Sequence, residues 1–85
     1  SANKGNAMRI LQEKFSLAAE ECVAFGDHMN DYEMLLACGH PYLPTNAYPR
    51  LKELFSGAVI VPSNAENGVL RALNAIADGK PVPRA

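Results

Sequence analysis

Two carboxylates and an amide lie close together where an apolar run of the chain ends. Asp27, Asn30 and Asp31 follow the apolar residues 22–25 and the break at Gly26. Carboxylate oxygens are hard ligands that suit Mg²⁺, an ion that takes one or two protein carboxylates and completes its shell with water and phosphate oxygens. From the residues alone, this group is either such a metal site or a turn in which Asp27 caps the bend and Asp31 caps the next helix.

Lys4 is a second candidate for chemistry, because it stands at the start of a helical pattern. Asn3 suits the N-cap position, so Lys4 falls in the first turn. The positive end of the helix dipole mildly disfavours a cation there. Lys4 is therefore either an ordinary solvated side chain or a residue placed to meet an anion.

Histidines and cysteines could suggest a different metal. His28, His40, Cys22 and Cys38 match no zinc-binding spacing, and Cys22 stands inside an apolar run. We predict that both cysteines are buried free thiols, which is typical of a reducing compartment and favours a cytoplasmic protein. We expect His28 to be an exposed turn residue.

Three short segments are predicted to be strands. Residues 22–25 and 58–61 are apolar without interruption, which is typical of parallel strands covered on both faces. Residues 41–44 begin and end with proline, so these prolines mark either the ends of a strand or the edge of a sheet. Ligands of open α/β sheets bind beyond the carboxyl ends of the strands, which is where Asp27 stands.

Four helices are predicted between these strands, over residues 3–15, over 31–37 with Gly39 as the C′ residue, from 46 to Gly57, and from Ser63 or Asn64 to Asp78-Gly79. Helical spacing predicts that the following apolar residues of three helices face the core: Ala7, Ile10, Leu11 and Phe15; Leu51, Leu54 and Phe55; Val69, Leu70, Leu73 and Ile76. The alternation predicts an α/β fold of three layers with a three-stranded parallel sheet, followed by a flexible tail at 80–85.

Composition argues against some classes of function. The formal net charge is −1, so a basic surface for nucleic acid is not expected. No apolar run approaches the length of a membrane span, and we expect no membrane partner. Residues 1–85 are expected to form one small domain.

Residues 26–31, Gly-Asp-His-Met-Asn-Asp, resemble the GDxxND motif of the haloacid dehalogenase superfamily of phosphohydrolases. Asn3-Lys4-Gly5 is similar to the lysine motif that precedes it in that family. The spacing between these two motifs resembles the Cof-like branch of sugar and nucleotide phosphatases. Two further segments, Asn46-Ala47 and residues 63–69, resemble that branch as well. The resemblance covers nearly the whole chain and implies a Rossmann-like core, of which residues 1–85 would be the C-terminal portion.

The resemblance also implies roles for individual residues. Asp27 would be a Mg²⁺ ligand, and Asp31 would belong to the same metal site, either behind the ligands of the ion or bonded to metal-bound water. Lys4 would neutralise charge on the transferred phosphoryl group, and Asn30 would lie near the phosphate. Asn46 is expected to contact the phosphate as well. The implied substrate is a small phosphorylated metabolite.

The resemblance implies that the attacking carboxylate belongs to a pair of aspartates separated by one residue. No two aspartates of these 85 residues have that spacing, so the attacking group is missing. We therefore expect a C-terminal fragment of a phosphatase that acts through an aspartyl-phosphate and is inactive alone. A non-catalytic interaction module and one chain of a split phosphatase stay open as alternatives. In either case the unpaired edge of strand 22–25 is expected to support self-association.

Overall fold

Three parallel strands form the centre of the protein, and the computed structural model describes residues 4–85. The strands alternate with helices, which confirms the predicted α/β fold with a three-stranded parallel sheet. The predicted N-cap Asn3 lies outside the described residues. In chain order the elements are α1 Lys4–Lys14, β1 Val23–Phe25, α2 Tyr32–Ala37, β2 His40–Pro44, α3 Pro49–Leu54, β3 Val59–Val61 and α4 Gly68–Ala77. Single 3₁₀ turns cover Ala19–Glu21, Met29–Asp31 and Asn64–Glu66.

The strand order β1-β2-β3 places β2 in the middle of the sheet. Pro41 and Pro44 therefore do not mark a sheet edge, and of the two predicted alternatives only the strand ends are correct. The Thr45 N–H donates to the Val61 carbonyl of β3 (3.0 Å). Successive residues of a strand face opposite neighbours, so the nitrogen of the preceding Pro44 faces β1. Because β1 has already ended at Phe25, no hydrogen bond between these strands is lost through the missing N–H of Pro44.

The buried core joins the strands to α2 and α3. Leu51 is fully buried, and the two cysteines are free and buried, as predicted. Burial raises the pKa of the Cys38 thiol, which keeps that thiol protonated at neutral pH. The core consists of Cys22, Ala24, Leu35, Cys38, Leu43, Ala47 and Leu51.

The predicted inner face of α1 is wrong. Phe15 is 62% exposed, and Ala7, Ile10 and Leu11 are exposed as well. The helix instead turns Gly5 and Met8 towards the rest of the chain. A side chain at Gly5 would overlap Glu33, so the lack of a Cβ lets α1 lie directly against α2.

The predicted inner face of α4 is also wrong for its largest residues. Leu70 is 57% exposed, and Leu73 and Ile76 are exposed too. The buried residues of α4 are the small ones: Gly68, Ala72 and Ala75. In α3, Leu54 is likewise exposed although Leu51 is buried. In α4 a side of small residues packs within the chain, in α1 this side consists of Gly5 and Met8, and most large apolar side chains of both helices point outward.

Two helix ends and the last residues complete the fold. Gly39 does follow α2, but without the left-handed conformation expected of a C′ glycine; its N–H donates to the Ala19 carbonyl (2.7 Å). Gly79 has a φ of 66° and ends α4 as predicted. Residues 80–85 reach the free side of β3, where the Ala85 N–H donates to the Ile60 carbonyl (3.0 Å), and the flexibility of this segment stays a prediction. Among the described residues, every helix is too short to cross a membrane.

Candidate functional site

A cleft of about 380 Å³ opens at the carboxyl end of the sheet. Its walls come from the last residues of β1 and β2, the loops that follow β1 and β3, the inner side of α2 and the first turns of α1 and α4. This is the place where parallel α/β sheets bind ligands, since the strand ends leave backbone groups and loop side chains facing one another. The cleft is lined by Lys4, Phe25, Gly26, Asp27, Asp31, Met34, Pro44, Asn64 and Val69.

Asp31 is the most constrained residue of the cleft. It is only 5% exposed, and its Oδ1 accepts a hydrogen bond from Lys4 Nζ at 2.6 Å. Its Oδ2 accepts from the N–H groups of Asp27 (3.0 Å) and His28 (3.4 Å). Asp31 therefore fixes both the loop after β1 and the position of the lysine. The predicted alternative, in which Asp27 caps the bend and Asp31 caps the next helix, is wrong: the carboxylate that accepts from the N–H groups of the turn belongs to Asp31, and this residue precedes α2 without a side-chain cap hydrogen bond.

The two partners shift each other's pKa in opposite directions. Burial alone would raise the pKa of Asp31, but the hydrogen bonds from Lys4 and from the two backbone N–H groups outweigh it, so this pKa lies below its usual range. The hydrogen bond and charge of Asp31 raise the pKa of Lys4, and the negative charge of Asp27 adds a small contribution. Both groups are therefore charged across the neutral pH range.

Asp27 is exposed and differs from Asp31 in having no hydrogen bond or ion pair through its carboxylate within residues 4–85. It lies in the same cleft as Lys4. Free carboxylate oxygens of this kind suit Mg²⁺, which needs few protein ligands. Within the described part of the chain, no group of three or more His, Cys, Asp and Glu residues could hold a metal ion. The carboxylates fit Mg²⁺ only as a partial ligand set that water, phosphate or further protein groups would complete.

The structure brings together three of the five predicted site residues: Lys4, Asp27 and Asp31. Asn30 is exposed in the 3₁₀ turn Met29–Asp31 and does not line the cleft. Asn46 does not line it either; its Oδ1 accepts a hydrogen bond from the Asn64 N–H at 3.1 Å. The catalytic, phosphate-binding and metal-binding roles given to these residues stay predictions.

Sequence reasoning missed four residues of the cleft: Met34, Pro44, Asn64 and Val69. The sequence predicts Asn64 as a helix cap and as part of the segment 63–69 that resembles the Cof-like branch, but gives it no role in a site. A signal for it was present, because Asn64 follows β3 as Asp27 follows β1, and the carboxyl ends of parallel strands meet at one edge of the sheet. No such signal existed for Met34, whose place depends on how α2 packs.

Comparisons with known proteins agree with this geometry. A family model described as haloacid dehalogenase-like hydrolase matches residues 1–73. An HMP-PP phosphatase of Serratia proteamaculans is 50% identical over 52 residues, which cover 61% of this chain and 19% of that protein. The HMP-PP phosphatase of Escherichia coli K12 is 44% identical over 50 residues, or 59% of this chain and 18% of that protein. The chain thus spans only a small part of these curated relatives.

Solved structures give the same result. The haloacid dehalogenase-like hydrolase yhjK of Bacillus subtilis is 32% identical with a TM-score of 0.70, over 87% of this chain and 26% of that one. A haloacid dehalogenase-like hydrolase of Bacteroides thetaiotaomicron is 31% identical with a TM-score of 0.73, over 87% of this chain and 27% of that one.

Proposed function

The chain belongs to the haloacid dehalogenase-like hydrolase family, and on this premise we propose that its cleft takes part in the Mg²⁺-dependent hydrolysis of a small phosphomonoester. The matches to HMP-PP phosphatases are consistent with the Cof-like branch. The observation that supports the proposal best is the joint placement of Lys4, Asp27 and Asp31 in one cleft. A lysine held by a buried carboxylate beside a free carboxylate suits a site that binds both an anion and a cation.

Lys4 would contact the phosphoryl group. Its ammonium has three N–H donors, one of which is engaged with Asp31, and its side chain is 51% exposed. Among the described residues, Asp31 is the hydrogen-bond partner of this ammonium, and the other two donors would bind phosphate oxygens. Because Asp31 fixes the ammonium in advance, the positive charge needs little rearrangement when negative charge moves during phosphoryl transfer.

Asp27 would hold the metal ion, and Asp31 would support it by fixing the Asp27 backbone. When bound, Mg²⁺ supplies positive charge that neutralises the phosphate and polarises its oxygens. Asn30 is proposed to lie near the phosphate, as the resemblance implies. The 85 residues contain no Asp-x-Asp pair, so the attacking carboxylate of the proposed reaction comes from another segment or chain, and the 85-residue chain alone should not turn over substrate.

The substrate class is taken from the relatives, which are named HMP-PP phosphatases. A small phosphorylated metabolite of that kind is our proposal for this site. A cytoplasmic location forms part of the same proposal, and the buried free thiols Cys22 and Cys38 favour it.

A chimera tests the proposal directly. The matching segment of the Escherichia coli HMP-PP phosphatase is replaced by this chain, and hydrolysis of HMP-PP and of para-nitrophenyl phosphate is measured with and without MgCl₂. We expect Mg²⁺-dependent hydrolysis that Asp27→Asn lowers by about 100-fold or more. The exposed Asp78 at the end of α4 provides the control, and Asp78→Asn should keep full activity. A folded chimera that is indifferent to Asp27→Asn would contradict the proposal, and so would turnover by the 85-residue chain alone.

We also propose that two copies of the 85-residue chain associate through the unpaired edge of β1. The Cys22 carbonyl accepts from the His40 N–H (3.2 Å) and the Gly26 N–H donates to Tyr42 (3.2 Å), so alternate residues of this segment bond to β2. The backbone groups of Val23 and Phe25 then face outward at an open edge, whereas the far side of β3 carries the contact with Ala85.

A second copy fits this edge because an antiparallel two-fold arrangement pairs the Val23 backbone of one copy with the Phe25 backbone of the other. Light scattering at tens of micromolar should give the mass of a dimer, and Val23→Lys, which adds a charge at the open edge, should give a monomer. Arg71→Glu, on the exposed side of α4, serves as the charge-changing control. A monomeric wild-type chain would rule this association out.

A further inference from the structure

Residues 45–48 form the loop that follows β2, and they connect the loop after β1 to the end of β3. The Thr45 N–H donates to the Val61 carbonyl at the end of β3 (3.0 Å), and the Tyr48 N–H donates to the Asp27 carbonyl after β1 (2.8 Å). The Lys52 ammonium donates to the Thr45 carbonyl and attaches the segment to α3. This segment, which we name the bridging loop, therefore sets the distance between the loop of the free carboxylate and the end of β3.

Asn46 adds a second contact between the bridging loop and the residues that end or follow β3. Its Oδ1 accepts the backbone N–H of Asn64, a residue 18 positions further along the chain (3.1 Å). That N–H begins the 3₁₀ turn Asn64–Glu66, where an amide without a partner in its own turn is common. Asn46 thus holds the first residue of this turn in place, although it does not line the cleft.

Asn64 is a polar residue on the β3 side of the cleft, whereas Lys4, Asp27 and Asp31 belong to the α1 and β1 side. Two other residues of the lining, Pro44 and Val69, come from β2 and α4, and neither offers a side-chain hydrogen bond. A carboxamide has two N–H donors and an accepting oxygen. An oxyanion between the two sides would meet the ammonium on one side and this carboxamide on the other.

We propose that Asn64 contacts the phosphorylated substrate and that Asn46 is a positioning residue which acts through it. This inference rests on the proposed function, since it assumes a phosphate in the cleft. It assigns Asn46 a role other than the direct phosphate contact predicted from the sequence. It also explains why a side chain outside the cleft would matter for binding.

Titration of the isotopically labelled 85-residue chain with inorganic phosphate in the presence of MgCl₂ tests the inference by NMR. We expect the side-chain amide signals of Asn64 to shift together with the backbone signals of Asp27. Asn46→Ala should weaken phosphate binding by roughly three- to tenfold and abolish the Asn64 shift, because one hydrogen bond is lost. Asn46→Asp keeps an accepting oxygen and should therefore preserve the phosphate affinity and the shift of the Asn64 signals. Asn74→Ala, on the exposed side of α4, is the neutral control.

The outcomes separate this inference from the proposed function. Shifts at Asp27 with none at Asn64 would overturn the inference and leave the function intact. An Asn64 shift that survives Asn46→Ala would overturn the positioning role. No shift at either residue would contradict the proposed function and the inference with it. In the chimera, Asn46→Ala should raise KM for para-nitrophenyl phosphate more than it lowers kcat, with rescue by Asn46→Asp; an unchanged KM counts against the inference.

Discussion

The carboxyl end of the sheet and the outer faces of α1 and α4 differ in how their side chains are satisfied. At the sheet end, Asp31 is buried and each of its oxygens has a partner. On the outer helix faces, Phe15 and Leu70 are large, apolar and mostly exposed. One region thus makes its interactions within the chain, while the other presents apolar surface that the chain does not cover.

The difference shows which part of the structure is stabilised by contacts within the chain itself. Hydrogen bonds and an ion pair between near neighbours in space hold the site residues, and they need only the loops and the first turn of α1. Large exposed apolar side chains are costly in water, and a surface of this kind normally marks a contact with other protein. The two regions should therefore respond very differently to substitution.

The largest contrast is expected between two leucines that helical spacing predicts to be equally buried. Leu51 in α3 is fully buried and Leu70 in α4 is mostly exposed. Leu51→Ala should lower the free energy of unfolding by about 3 kcal/mol, because a cavity is left in the core. Leu70→Ala should change it by less than about 1 kcal/mol. Urea denaturation followed by circular dichroism measures both, at a concentration low enough to keep the chain monomeric.

Equal losses for the two leucines would break the comparison, since they would mean that the outer face of α4 is covered in solution. If the loss at Leu70 grows with protein concentration, the cover is another copy of the chain. A loss independent of concentration would instead mean that α4 is rotated relative to the arrangement described above.

A smaller effect is expected from the buried carboxylate at the sheet end. Asp31→Asn removes the charge that pairs with Lys4 and replaces one accepting oxygen by an N–H₂ group. We expect a loss of about 2 kcal/mol in the free energy of unfolding, because an accepting group for the backbone N–H groups is weakened as well. Asp78→Asn, at the exposed end of α4, is the matched control and should stay within about 0.5 kcal/mol. A harmless Asp31→Asn would mean that the site end is not organised by this residue.

The smallest effect is the dependence of stability on acid. The pKa of Asp31 is lower in the folded protein than in the unfolded chain, so its contribution is present above about pH 4 and is lost as the pH falls through the folded value. The raised pKa of Lys4 acts at the other extreme, where its contribution is lost only above about pH 10. Wild type should therefore lose more stability than Asp31→Asn between about pH 6 and about pH 3. Parallel acid profiles for the two proteins in urea denaturation would refute this assignment.

The strands and the site motif could be predicted from the sequence because their signals are local. An unbroken apolar run specifies a strand, and Asp27 and Asp31 stand where such a strand must end. The predicted cover on both faces is wrong for β1, because Val23 is 37% exposed. The cleft itself follows from a rule about parallel sheets. These predictions need no knowledge of what packs against the other side of each helix.

The inner faces of α1 and α4 could not be predicted for the opposite reason. Helical spacing shows that Ile10, Leu11 and Phe15 lie together, but the rule assumes that the larger apolar face packs within the same chain. Here α1 makes its close contact with α2 through Gly5, and the residues that α4 buries within the chain include Ala72 and Ala75. Small residues carry little weight in an apolar periodicity, so their packing role is visible only when the helices are placed.

The close approach at Gly5 has a further consequence for Lys4. A Cβ at position 5 would come within 2.6 Å of the Glu33 Cβ, so any larger residue would push the start of α1 away from α2. Lys4 reaches Asp31 from that same turn. Lys4 thus provides the positive charge, while Gly5 determines the distance between this charge and Asp31. The two residues therefore act together on the ion pair. Variation at position 5 would tune the electrostatics of the cleft without altering any charged residue.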